Sequence, residues 1–129
     1  YFHQFGEALG MAYQIRDDIL GIWGMKENTG KSIEEDLRQR KKTLPVVYAL
    51  REGKDKAKLK RLYSQSHIEG GDIPIVVRIL DQSGARDHAQ NLVQQCCRRA
   101  LEQLEASGIE VNRQTPLKQI ATSLAERNY

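Results

Sequence analysis

Apolar positions recur along this chain at helical spacing almost throughout, and no segment joins β-branched residues to a period of two. An all-α fold is predicted. A first helix is expected from about Tyr1 to Trp23, with Phe2, Phe5, Leu9, Ala12, Tyr13, Leu20 and Trp23 on one broad face. Gly24 and the segment KENTGK then read as a loop. A short helix is predicted over Ile33 to Arg40. Thr43-Leu44-Pro45 opens another, with Pro45 in the first turn, where its missing N–H costs nothing, and Gly53 closes it. The next helix covers Asp55 to Gln65. After the break at Gly70-Gly71, Asp72 is expected to cap a helix through Ile73, Val76, Val77 and Leu80 that ends near Gly84. Ala89, Leu92, Val93, Cys96, Ala100, Leu101 and Leu104 mark the longest amphipathic stretch of the second half, which stops at Ser107-Gly108. Thr115 and Pro116 read as cap and first turn of a last helix through Ile120 and Leu124. No repeat, low-complexity tract or linker intervenes, so residues 1–129 are expected to pack as a single helical domain, one bundle.

Composition narrows the class without naming a function. Charged residues make up 29% and hydrophobic ones 40% of the 129 residues, as in ordinary water-soluble domains. No apolar run approaches the roughly 20 residues that a membrane-spanning helix needs, and no signal peptide opens the sequence; a cytoplasmic protein is the simplest reading. The net charge of +3, from 20 basic and 17 acidic residues, argues against nucleic acid as a partner. Cys96 and Cys97 are adjacent on a helical pattern, point about 100° apart, and have no metal-ligand spacing. Two basic runs stand out. Residues 54–61 (KDKAKLKR) read as a solvated helix face, whereas residues 37–42 (LRQRKK) follow the one stretch with candidate chemistry.

On a helical wheel, Gly6, Gly10, Gln14, Asp17, Asp18 and Gly21 fall within about one third of the first helix. Glycine inside a helix costs about 1 kcal/mol relative to alanine, so the glycines point either to a close-packed neighbouring helix or to a ligand along that face. Asp17 and Asp18 repel one another unless solvent or a cation relieves them, and magnesium suits one or two carboxylates together with substrate phosphates. Lys31 in the Gly30-Lys31 turn and Lys41 and Lys42 on the basic run could meet phosphate oxygens. Acids for a metal and lysines for an anion are what a diphosphate leaving group requires.

In order, FGEALGMAYQIRDDIL (5–20), GIWG (21–24), TGKS (29–32) and EDLRQRKKTLPVVYAL (35–50) resemble the second aspartate-rich region of the trans-type polyprenyl diphosphate synthases, the family of the farnesyl and geranylgeranyl diphosphate synthases. The resemblance implies a helical bundle, the carboxyl-terminal part of the isoprenoid synthase fold. By the same resemblance Asp17 and Asp18 are catalytic residues that bind Mg2+, Asp17 the more directly. Tyr13 and Gln14 lie near an allylic substrate, Lys31 and Lys41 contact its diphosphate, and Asp36 matches an acid between those lysines. Position 21 carries glycine where the motif usually ends on a third aspartate. The implied activity is prenyl transfer, joining an allylic diphosphate to isopentenyl diphosphate, in a protein expected to form homo-oligomers. Nothing in this chain matches the first aspartate-rich motif, so the chain alone is expected to be inactive. A non-catalytic helical subunit of a prenyl synthase, a related terpene cyclase, and plain structural packing are the competing readings.

Overall fold

The computed structural model describes residues 1–24 and 35–126. Among these the chain forms seven helices and no strand. They are α1 (Phe2–Trp23), α2 (Glu35–Arg38), α3 (Leu44–Glu52), α4 (Lys56–Tyr63), α5 (Ile73–Ser83), α6 (Ala85–Ala106) and α7 (Val111–Glu126). Contacts gather into two compact units. Among the described residues, one joins Tyr1–Arg16 to residues 90–126, and the other comprises residues 17–24 and 35–89.

The unit Asp17–Ala89 has an aliphatic core built by helical periodicity. Val46 and Ala49 of α3, Leu59, Leu62 and Tyr63 of α4, and Ile73, Val76, Ile79 and Leu80 of α5 repeat at three- and four-residue intervals and are buried together with Ile22 and Leu37. The bases of residues 54–61 are exposed on the other side of α4, as a solvated face should be. Gly84 turns the chain from α5 into α6 in the left-handed region at φ 78, a conformation that side chains resist. Asp72 stands before α5 as expected, but its side chain makes no capping bond.

In the other unit Phe5 and Ala8 of α1 bury against Ala100 and Leu104 of α6, with Leu9, Ile109 and Leu117 packed around them. Gly108, at φ 74, ends α6 where the Ser107-Gly108 pair placed the stop. The buried Arg16 guanidinium donates through Nη2 to the backbone carbonyl of Leu124. Cys97 is buried and Cys96 partly so, and burial pushes both thiols above their ordinary range, which keeps them protonated and weakly nucleophilic.

Two expectations about local structure are overturned. The last helix starts at Val111, so Pro116 lies inside it and Thr115, rather than capping, donates from Oγ1 to the Val111 carbonyl. Gln114 supplies the local anchor, its Nε2 donating to the Ile109 carbonyl at 2.7 Å, and the proline removes only one interior amide donor. The second correction concerns α1. Its buried line is Phe5, Ala8, Ala12, Ile15, Ile19 and Ile22, whereas Phe2 and Tyr13 are 53% and 65% exposed. The buried face is turned by roughly a quarter of a circle from the one marked by the largest side chains. No helix among the described residues is long and apolar enough to cross a membrane.

Candidate active site

The carboxyl-terminal end of α1 is held from several sides within the unit Asp17–Ala89. Trp23 Nε1 donates to Asp81 Oδ1 at 2.7 Å, and the Arg86 guanidinium lies 5.7 Å over the indole ring. On this anchored end the two acids have different surroundings. Asp18 is buried at 8% exposure, and its Oδ2 accepts the backbone N–H of Leu44 at 3.1 Å. That amide is the first of α3, whose N-cap residue Thr43 makes no side-chain capping bond. Asp18 therefore caps α3 from 26 residues away, and its negative charge suits the positive end of that helix. Asp17 is half-buried, and no described hydrogen bond or ion pair engages it.

Gly21 follows Asp17 by one turn of the helix. A Cβ placed on it would collide with Asp36 Oδ2 and lie 3.4 Å from Asp36 Cγ. The carboxylate of Asp36 thus fills the space that a side chain at position 21 would take. The same Oδ2 is 3.9 Å from Lys41 Nζ. The backbone between these residues is tightly wound. Lys41 N–H donates to the Asp36 carbonyl at 2.9 Å and Arg40 N–H to the Leu37 carbonyl at 3.0 Å. Arg40 takes a left-handed φ of 57, which costs a residue with a Cβ about 1 kcal/mol or more. Arg40 Nη1 donates to the Tyr63 carbonyl at 3.3 Å, and the Tyr63 hydroxyl donates to the Lys41 carbonyl at 3.4 Å. Burial first, and the nearby Asp36 charge second, hold the Tyr63 phenol far above its ordinary range, so it remains a donor.

Of the residues singled out from sequence, Asp17, Asp18, Asp36 and Lys41 thus lie in one compact unit. Tyr13 and Gln14 belong to the other unit, on the exposed side of α1. Lys31 lies outside the described residues. Among the described residues no three His, Cys, Asp or Glu side chains converge as a ready-made metal cage. The adjacent carboxylates Asp17 and Asp18, in the same unit as the Asp36–Lys41 pair, nevertheless are the hard oxygen donors that suit magnesium, which keeps water ligands and shares its shell with phosphate oxygens. The Asp18 bond to α3 escaped sequence reasoning because nothing local announces a cap supplied by another helix.

A family model described as polyprenyl synthetase matches residues 1–80. The chain is 53% identical over 49 residues to a (2E,6E)-farnesyl diphosphate synthase of Mycobacterium tuberculosis, covering 38% of this chain and 14% of that protein. It is 30% identical over 126 residues to heptaprenyl diphosphate synthase component 2 of Geobacillus stearothermophilus, covering 97% and 38% respectively. Among solved structures, a geranylgeranyl pyrophosphate synthase from Corynebacterium glutamicum, complexed with calcium and isoprenyl diphosphate, superposes with a TM-score of 0.80 at 32% identity. That likeness covers 96% of this chain but 38% of the synthase, so the chain spans well under half the length of these relatives. The helical fold, the order of motifs in residues 5–50 and the family match over residues 1–80 agree: the chain belongs to the polyprenyl synthetase family.

Proposed function

We propose that this chain is the carboxyl-terminal part, within a single synthase domain, of a cytoplasmic, homo-oligomeric prenyltransferase that joins an allylic diphosphate to isopentenyl diphosphate. The observation that carries the reading is that one unit holds an unengaged carboxylate, Asp17, together with Asp18 and with Asp36 and Lys41, the last two 3.9 Å apart. Acid and base side by side suit a cation and the diphosphate it neutralises. Magnesium, when bound, supplies positive charge that stabilises the departing diphosphate. Asp17 would hold that cation, with Asp18 beside it in sequence as a second carboxylate. Lys41 and Lys31 bind diphosphate oxygens as compact charges. The family resemblance assigns Tyr13 and Gln14 to the allylic substrate. As the carbon–oxygen bond breaks, both electrons leave with the diphosphate; the double bond of isopentenyl diphosphate attacks the allylic cation, and a proton is lost.

Preorganised charge of this kind is worth about 10²–10³ in rate for a single group. In a complete synthase carrying this sequence, Asp17→Ala is expected to lower turnover by at least that factor, and turnover near wild type would sink the assignment. The 129-residue chain alone should yield no product from magnesium, an allylic diphosphate and isopentenyl diphosphate, because it carries a single acidic motif. Robust product in that assay would overturn the second claim. The likeness to component 2 of a heptaprenyl diphosphate synthase favours one further reading, a subunit that works beside a second protein. The same assay with a partner subunit added distinguishes it.

A further inference from the structure

Position 21 looks like a loss when α1 is read by itself, a polar face whose next turn after Asp17 has no side chain. The structure points the other way. We propose that Gly21 is a positioning residue whose bare backbone seats the carboxylate of Asp36, so that α1 presents Asp17 and, one turn on, a carboxylate borrowed from α2. This rests on the reading of the acids as a cation site given above.

Three observations carry it. The space a Cβ would take at Gly21 is filled by Asp36 Oδ2, with Cγ and Cβ of the same residue at 3.4 and 3.8 Å from that position. The backbone that carries Asp36 is fixed by the Lys41 N–H bond to the Asp36 carbonyl, by left-handed Arg40, and by the Ile68 N–H donating to the Arg38 carbonyl at 3.2 Å, so a Cβ at position 21 is accommodated by swinging the Asp36 carboxylate out of its seat. The seated oxygen is also the one that faces Lys41 Nζ at 3.9 Å. Displacing it disturbs the acidic face and the lysine together. Gly6 and Gly10 on the same helix have nothing within 4 Å of an added Cβ, so the filling of position 21 is not a general property of glycine on this face. Asp36 would act on the cation through its water shell, as an oxygen one layer beyond Asp17.

The test is a Mn2+ titration of the 129-residue chain, read as paramagnetic broadening of the Asp17 and Asp18 backbone amide signals, with circular-dichroism melting alongside. Gly21→Ala is expected to raise the Mn2+ concentration for half-broadening about 10-fold, the usual weight of an outer-shell partner, without lowering the melting midpoint. Asp36→Ala should do the same to Mn2+. Gly21→Asp with Asp36→Ala moves the carboxylate onto α1 itself and should recover Mn2+ binding to within about 3-fold of wild type, a rescue that a purely structural glycine cannot produce. Wild-type broadening in Gly21→Ala, or a double variant no better than Asp36→Ala, overturns the seat while leaving the cation site intact. If the wild-type chain shows no broadening, the cation site itself fails and the seat fails with it.

Discussion

The two ends of α1 carry the same kind of polar, glycine-bearing face and treat it in opposite ways. Toward the amino end Gly6, Gly10 and Gln14 are exposed, and an added Cβ at either glycine meets nothing within 4 Å among the described residues. Toward the carboxyl end the face is occupied: Gly21 by the Asp36 carboxylate, and Asp18 by the first amide of α3. Core composition follows the same division. Buried residues at the amino end include alanines and one phenylalanine, whereas Ile22 at the other end joins Leu37, Leu59, Val76 and Leu80. A glycine row on a helix is thus not one signal but several, and only the neighbours decide which positions are in use.

The largest expected effect breaks the well-packed side. Leu80 is fully buried in the aliphatic core, so Leu80→Ala should destabilise the chain by about 2–5 kcal/mol through lost transfer energy and the cavity left behind. Urea denaturation followed by circular dichroism measures it. A loss under 1 kcal/mol would mean that the site collapses easily and that the contrast in packing is overstated.

A sharper comparison lies between neighbours in sequence. Asp18→Ala removes the acceptor of the Leu44 amide and should cost about 1–2 kcal/mol, the weight of a helix cap, while Asp17→Ala, with no described partner, should change stability by less than about 0.5 kcal/mol. Their roles in catalysis are expected to rank the other way. Equal destabilisation by the two variants would show that Asp18 is not a cap in solution.

On the open side the sign reverses. Gly6→Ala and Gly10→Ala should each stabilise the chain by roughly 0.5–1 kcal/mol, since alanine favours the helix and its methyl meets no described atom. Destabilisation at either position, measured by thermal melting, would reveal a neighbour pressed against that face in the assembled protein.

Much of this was legible in the sequence because the signals were local. Pro45 in a first turn, Gly84 and Gly108 at left-handed stops, and three- to four-residue spacing in residues 44–104 set most helix boundaries. The acids and Lys41 could be found by their residue types and their order. What could not be read depended on partners far along the chain. The cap on α3 comes from Asp18, the filler at Gly21 comes from α2, and the buried face of α1 follows Ile15, Ile19 and Ile22 rather than the aromatic residues. Pro116 misled for a related reason: a proline is a start signal only if the turn before it has no other anchor, and Gln114 supplies one.

The smallest effect probes the occupied end by pH. Tyr63 is buried, its hydroxyl donates to the Lys41 carbonyl, and burial and then the Asp36 charge raise its pKa above the ordinary 10.0. The protonated phenol is the form that the folded chain favours. Below pH 10 both folded and unfolded chains hold that proton, and the contribution to stability is fully present. Above it the unfolded chain releases the proton while the folded chain retains it, so stability falls as pH rises from 10 toward the raised folded value. At pH 10 the loss from this one group is roughly 0.4 kcal/mol, since half of the unfolded chains have ionised, and it steepens toward about 1.4 kcal/mol per further pH unit. Tyr63→Phe should remove that part of the alkaline decline. Urea midpoints at pH 8 and pH 10.5 for the two proteins measure it. Parallel declines would mean that the phenol is hydrated in the folded chain, and the occupied end of α1 would then be more open than its packing implies.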